Sequence, residues 1–156
     1  MVTRPSAPTR GFTLVELMIT LGLVAVLASI GVPATKGLIA KQRVRNAATD
    51  LANTLMRARN FAVKLQVNVT VKPVDATRWQ AGWSVPDPAG TGYLFDARNT
   101  IAQVTIAGPD AVVYRSNGRP VTPATAFYKV SSADTTEQRC VKLELSGMAT
   151  NKKGAC

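Results

Sequence analysis

Histidine is absent from this 156-residue sequence, and cysteine occurs only twice, as Cys140 and Cys156. The absence of histidine excludes Ser-His-Asp and Cys-His catalysis and any histidine-based metal site. Two cysteines are too few for a structural zinc site, which takes four ligands. The sequence also lacks a glycine-rich phosphate loop, carboxylates at metal-ligand spacing and internal repeats. We therefore expect no catalytic role, no cofactor and no metal.

Acidic residues are scarce, since nine Asp and Glu stand against nineteen Lys and Arg and give a formal net charge of +10. Residues 34–66 hold seven basic residues and one acid, whereas residues 67–156 hold ten basic and seven acidic residues. A basic chain can bind nucleic acid or anionic lipid. Because the polar faces of helices ordinarily carry charges, we interpret residues 34–66 as a solvated or headgroup-facing helix surface.

A long apolar run extends from Phe12 to Val32, and Glu16 is its one charged residue. The run matches the roughly 20 residues that span a bilayer and exceeds the roughly 7–15 apolar residues of a secretory signal peptide. A charge within hydrocarbon costs about 2.5–3.5 kcal/mol, so Glu16 predicts a functional partner. The alternatives are a polar residue tolerated near the membrane interface and an ordinary signal peptide. Cleavage of such a peptide near Ser29 or Thr35 would release a plain secreted domain.

A specific motif begins the apolar run, and it reads Gly11-Phe12-Thr13-Leu14-Val15-Glu16-Leu17. It resembles the class III signal of type IV pilins and type II secretion pseudopilins. The resemblance implies that a prepilin peptidase removes the leader, residues 1–11, by cutting between Gly11 and Phe12. The same enzyme would then methylate the new amino terminus of Phe12.

The resemblance also implies how the mature segment functions. Glu16 would pair with the terminal amine of a neighbouring subunit and set the register of assembly, and Pro33 would bend the helix near the end of the membrane segment. Basic residues flank the apolar run on both sides, so their number does not select the cytoplasmic side. The resemblance places the N-terminus in the cytoplasm, the anchor in the inner membrane and the head in the periplasm, before assembly into a pilus or pseudopilus.

Sequence periodicity predicts an α+β fold, in which a long N-terminal helix packs on an antiparallel β-sheet head. The helix divides into a transmembrane or filament-core part, 12–33, and an amphipathic continuation, 34–66. One apolar stripe of the continuation comprises Val44, Ala48, Leu51, Leu55, Ala58, Ala62 and Leu65. The head, 67–156, has candidate strands at 67–72, 79–85, 101–106, 112–115, 126–130 and 139–146, and Asn117-Gly118 predicts a tight turn.

Two segments of the head, 113–120 and 139–147, resemble the pseudopilin domain of the GspH/FimT/FimU group. Members of that group are minor subunits that are thought to prime assembly or to lie near the filament tip. The resemblance implies a minor type IV pilin whose partners are the prepilin peptidase and other minor and major pilins. A GspH-like minor pseudopilin of type II secretion is an alternative.

A FimT-like DNA receptor for natural transformation is the other alternative. Some FimT-like proteins bind DNA through a Gly-Arg-x-Arg motif after the last strand. Here Met148 and Thr150 occupy both arginine positions, and the basic residues Lys152 and Lys153 are shifted. Arg119 is a further candidate for such a DNA-binding patch.

The two cysteines suggest one disulfide, because cysteines of an exported chain tend to oxidise. A bond between Cys140 and Cys156 would hold the C-terminal tail against the last strand. Two free thiols are the alternative.

Overall fold

The computed structural model describes residues 11–76, 78–121 and 125–156, except for the side chains of residues 30–34. The chain divides into two compact units, Met1–Lys36 and Gly37–Cys156. One helix, α1, extends over Leu14–Leu65 and contributes residues to both units. It ends where Gln66 takes a left-handed backbone conformation, with φ of 55°, and the side-chain amide of Gln66 donates to the carbonyl of Val63 at 2.7 Å.

The predicted apolar stripe of α1 forms the helix side of the core in the second unit. Its first six members, from Val44 to Ala62, are fully buried. Leu65 was expected to be buried with them, but it is 45% exposed. It is the last residue of the helix, and the chain turns away at Gln66, so the sheets do not cover it.

The described part of the second unit contains eight strands arranged in two four-stranded antiparallel sheets. The orders are β3-β2-β1-β5 and β4-β6-β7-β8. Their bounds are β1 Val69–Asp75, β2 Arg78–Pro86, β3 Leu94–Arg98, β4 Thr105–Ala107, β5 Val112–Tyr114, β6 Ala126–Ser132, β7 Thr135–Leu143 and β8 Ala149–Lys153. The predicted helix-on-antiparallel-sheet fold is confirmed, although two sheets replace the expected one.

The largest side chains of the core are aromatic and come from the sheets. Trp79, Trp83, Tyr114 and Tyr128 are all fully buried, and the rings of Trp79 and Tyr128 meet edge to face with centroids 5.0 Å apart. A buried indole N–H needs a hydrogen-bond acceptor, and α1 supplies the acceptor for Trp83. Its Nε1 donates to the Oγ1 of Thr54 at 3.1 Å.

Strand β3 was not predicted, because its residues do not alternate between apolar and polar. It is an edge strand, and contacts between its side chains and those of α1 hold it against the helix. Arg57 donates to Asp96 through Nε at 2.8 Å and through Nη2 at 2.6 Å. Arg98 pairs with Asp50 at 2.8 Å, and the rings of Phe61 and Phe95 have centroids 4.9 Å apart.

Two tight turns pack on each other beside the last turns of α1. The predicted Asn117-Gly118 turn is present, with the N–H of Gly118 donating to the carbonyl of Arg115 at 2.7 Å. Gly147 has φ of 82°, and a Cβ atom there would overlap the carbonyl oxygen of Gly118. That oxygen also accepts a hydrogen bond from Arg59 Nε at 3.2 Å.

This contact predicts that Gly147→Ala destabilises the protein more than Gly90→Ala does. Both glycines have positive φ, but no atom lies within 4 Å of a Cβ at Gly90. The control therefore carries only the backbone penalty, about 1 kcal/mol. We expect Gly147→Ala to cost at least about 1 kcal/mol more, because backbone must move. Thermal unfolding of the full chain in detergent, followed by circular dichroism, measures both, and equal losses would contradict the assigned contact.

Candidate assembly site

The start of α1 is capped by Thr13. Its Oγ1 accepts a hydrogen bond from the N–H of Glu16 at 3.2 Å, and its carbonyl accepts one from the N–H of Leu17 at 3.1 Å. Glu16 is the acidic residue of the first turn, where a negative charge opposes the helix dipole and stabilises by about 0.3–1 kcal/mol. The Thr-x-x-Glu spacing is a capping signal. Glu16 thus has a local role at the start of the helix, in addition to the assembly role that the motif implies.

The segment around Glu16 exposes its apolar side chains on every side of the helix. Eleven large apolar side chains are between 55% and 82% exposed, namely Phe12, Leu14, Val15, Leu17, Met18, Ile19, Leu21, Leu23, Val24, Val26 and Leu27. Glu16 is also exposed, and no described residue forms an ion pair with it. A helix that is apolar all round is normally covered by lipid or protein.

The membrane prediction is only partly covered by the described residues. Within that part of the chain, no helical stretch is both long enough and apolar enough to cross a bilayer. The side chains of residues 30–34, and with them the predicted bend at Pro33, lie outside the described residues, as does the predicted leader up to residue 10. The membrane segment, the bend and the cleavage site at Gly11 and Phe12 remain predictions.

The predicted disulfide between Cys140 and Cys156 is present, and no described cysteine is free. It does not hold a loose tail, however, because residues Ala149–Lys153 are themselves strand β8. Strand β8 pairs with β7 along its whole length, and the bond lies just beyond its end. In the chain-entropy model, closing a loop of 16 residues stabilises by about 3 kcal/mol.

The structure does not gather the candidate DNA-binding residues into one patch. Lys152 and Lys153 lie opposite Cys140 and Arg139, at the end of β8. Successive strand residues point to opposite faces of a sheet, so the two lysines do not share a face. Arg119 instead lines a cleft with Lys142. Lys142 lies three residues beyond Arg139 along β7, which corresponds to about 10 Å.

Lys153 belongs to a different group, centred on Glu137. The Glu137 side chain is 6% exposed, and its Oε1 lies 3.4 Å from Arg45 Nε and 3.3 Å from Arg139 Nε. Burial raises the pKa of Glu137, but the hydrogen bond from Arg45 and the charges of Arg45, Lys153 and Arg139 outweigh burial and leave the pKa below its ordinary value. Sequence reasoning missed this cluster, because its members lie on α1, β7 and β8.

Residues 47–147 match the family model of the type II transport protein GspH. The chain belongs to the GspH family. Residues 7–32 also match the prokaryotic N-terminal methylation motif. This family comprises minor pilins and pseudopilins, which are structural subunits. The predicted resemblance to the GspH/FimT/FimU group is therefore confirmed. The family does not by itself decide between a pilus and a secretion system.

Similarity to individual proteins agrees with the family. The type IV minor pilin FimU of Pseudomonas aeruginosa superposes with a TM-score of 0.61 at 18% identity, over 69% of this chain and 91% of that one. The minor pseudopilin EpsH from the type 2 secretion system of Vibrio cholerae gives a TM-score of 0.54 at 10% identity, over 72% of this chain and 97% of that one. At these identities, both similarities show the fold alone.

A curated relative is similar over a shorter segment. It is the prepilin peptidase-dependent protein D of Escherichia coli, which is 43% identical over 56 residues. The match covers 36% of this GspH-family chain and 35% of the relative, so it spans about a third of that protein.

The Glu137 cluster predicts a pH dependence of stability. Because the pKa of Glu137 is lower in the folded protein than its ordinary value of 4.5, its contribution is complete above about pH 4.5 and is lost as the pH falls through the folded value. We expect Glu137→Gln to lower stability at pH 7 and to flatten the acid limb of a plot of unfolding free energy against pH.

Denaturant unfolding of the full chain in detergent between pH 3 and pH 7 measures this. The control is Glu144→Gln, which removes a carboxylate from an exposed pair with Lys142 at 3.7 Å and should leave stability at pH 7 nearly unchanged. An acid limb as steep in Glu137→Gln as in the wild type would contradict the prediction.

Proposed function

We propose that this chain is a minor type IV pilin that primes assembly of a pilus or lies near its tip. It is made as a precursor, anchored in the inner membrane by the apolar segment 12–33 with its head in the periplasm. A prepilin peptidase then cuts between Gly11 and Phe12 and methylates Phe12. The mature subunit leaves the membrane by joining other minor and major pilins.

One observation carries this proposal, namely the apolar surface of residues 12–27 with the single carboxylate of Glu16 among its side chains. Such a surface is stable only when lipid or protein covers it. Each square ångström of apolar surface removed from water contributes roughly 25 cal/mol of favourable free energy. Lipid covers it before assembly, and the corresponding segments of neighbouring subunits cover it afterwards. The chemistry is the same in both settings, so the segment can move from one to the other.

Glu16 fixes the axial position that the segment takes among the neighbouring subunits. Cleavage before Phe12 creates a cationic amine, which a neighbouring subunit can place against the Glu16 carboxylate inside the apolar core. Apolar contacts supply most of the attraction but do not distinguish one axial position from the next. The ion pair does, because leaving one buried partner unpaired costs about 3–5 kcal/mol.

A type II secretion minor pseudopilin is the second candidate, because the GspH family includes such pseudopilins as well as minor pilins. The segment 12–33 and the role of Glu16 would be unchanged, and only the partner subunits would differ. Purifying sheared pili and the secretion pseudopilus from the native cell, and finding which contains the chain, separates the two candidates.

Processing predicts the mature N-terminus. We expect intact mass and N-terminal sequencing of the protein from native membranes to give a chain that begins at N-methylated Phe12. Replacing Gly11 with Ala should leave the precursor uncut, because the resemblance places the cleaved bond directly after Gly11. A mature chain beginning near Ser29 or Thr35 would mean that the apolar segment is discarded, and the proposed assembly would be wrong.

Assembly predicts that Glu16→Ala and Glu16→Gln reduce the amount of chain in sheared filaments at least tenfold while cleavage continues. The magnitude follows from the cost of an unpaired buried amine. Thr13→Ala is the matched control, because it removes the helix cap, worth about 1 kcal/mol, and keeps the carboxylate. Quantitative immunoblots of the membrane and filament fractions measure the effect. Equal losses in Glu16→Gln and Thr13→Ala would assign Glu16 to helix capping alone.

A further inference from the structure

A basic and apolar surface lies near the start of the second unit, and its members come from α1, β7 and β8. Leu38, Ile39, Lys41, Gln42 and Arg45 line an open groove of about 370 Å³ on the helix. Arg45 continues this groove into the cluster around Glu137. We name the whole the Arg45 surface and define it by Leu38, Ile39, Lys41, Arg45, Glu137, Arg139 and Lys153.

The charges of the Arg45 surface do not balance. Glu137 is its one carboxylate, and three cations lie around it, namely Arg45, Arg139 and Lys153. Lys41 adds a fourth cation to the surface, in the groove that Arg45 also lines. Arg45, Lys41 and Lys153 are exposed to solvent. The Nε atom of Arg139 is buried and, among the described residues, has no hydrogen-bond acceptor of good geometry. The exposed cations Lys41, Arg45 and Lys153 thus outnumber the one buried carboxylate of the surface and remain accessible to a carboxylate of another molecule.

The apolar part of the Arg45 surface is exposed as well. Leu38 is 65% exposed and Ile39 is 50% exposed, on the turn of α1 that precedes Lys41 and Arg45. A nucleic acid backbone interacts chiefly with the cations and gains little from two aliphatic side chains. A protein segment that has an acidic and an apolar residue close together uses both parts, and such a mixture of apolar and charged contacts is typical of protein interfaces.

A second copy of this chain is a poor partner for the surface. Of the nine acidic residues, five are already in ion pairs within the chain, namely Asp50, Asp75, Asp96, Glu137 and Glu144. Glu16 lies in the apolar segment, and Asp87 accepts hydrogen bonds within its own loop. The remaining two, Asp110 and Asp134, follow β4 and β6, which are antiparallel, so they lie toward opposite ends of that strand pair and do not form one acidic face that complements the Arg45 surface.

We propose that the Arg45 surface binds an acidic segment of a pilin subunit of another kind. A carboxylate of that subunit lies against the exposed cations Lys41, Arg45 and Lys153, and a neighbouring apolar side chain packs on Leu38 and Ile39. This inference rests on the proposed function, since it assigns the contact to an assembled filament. It names a face of the head that selects a neighbour, in addition to the unselective apolar contacts of the segment 12–33.

The test uses the full chain in the native cell and a matched pair of double variants. Lys41→Glu with Lys153→Glu reverses two exposed charges of the Arg45 surface. Lys64→Glu with Lys129→Glu makes the same change in net charge at exposed lysines elsewhere. Neither pair includes a core residue, and immunoblots of the membrane fraction show whether each variant accumulates.

Two readouts follow the contact. Incorporation into sheared filaments should fall at least fivefold in the Arg45-surface variant and stay within twofold of the wild type in the control. A carbodiimide, which joins a lysine amine to a carboxylate that touches it, should link Lys41 or Lys153 to an aspartate or glutamate of a different pilin subunit, as mapped by mass spectrometry. Cross-linking is run on both membranes and filaments.

Other results would overturn the inference. Equal incorporation of both double variants, with no excess of cross-links at Lys41 and Lys153 over Lys64 and Lys129, would do so while leaving the proposed function intact. Absence of the wild-type chain from all filaments would instead reject the proposed function, and with it the inference that rests on it. A labelled 20-base single-stranded oligonucleotide provides the third test. Binding of the detergent-solubilised chain to it that only the Arg45-surface variant loses would assign the surface to nucleic acid.

Discussion

Close packing between a helix of small side chains and two sheets of large ones determines the structure of the head. The buried face of α1 is mainly alanine, with Leu51 and Leu55 as its larger members, whereas the sheets contribute two tryptophans and two tyrosines. Small residues let the helix backbone approach the aromatic rings closely. That approach brings Thr54 within hydrogen-bonding distance of Trp83 and Asp96, so one buried hydroxyl connects the helix to two neighbouring strands.

Ion pairs between side chains have a different role, because they position elements at the edge of the head. The pairs Arg57–Asp96 and Arg98–Asp50 hold the edge strand β3 on the helix. Exposed or half-exposed pairs contribute little to stability, so they specify position more than they add free energy. Because five of the nine acidic residues are in ion pairs within the chain, the remaining surface is mainly basic, and this favours partners that are acidic.

Local sequence patterns predicted those elements that local burial creates. The four-and-three spacing from Val44 to Ala62 defines the buried face of α1, and strict alternation in Val69–Val71 defines β1. Strands β3 and β8 were not predicted from the sequence. Ion pairs with α1 hold β3 in place, and pairing with β7 together with a disulfide holds β8. The same limit applies to the sites. Glu16 was found from a contiguous motif, whereas the cluster of Arg45, Glu137 and Lys153 joins three distant segments and has no signature in the sequence.

The disulfide at the end of β8 has a mechanical consequence. The turn at Ser146-Gly147 connects β8 to β7 at one end, and the Cys140–Cys156 bond connects the two strands at the other. A strand that is free at one end unzips by breaking its hydrogen bonds one after another under a small force. A strand fixed at both ends cannot fray, so its backbone bonds must rupture together. For a subunit pulled through its helix by a filament under load, the edge of the sheet therefore resists as a single unit, and it offers no loose strand to a neighbouring chain.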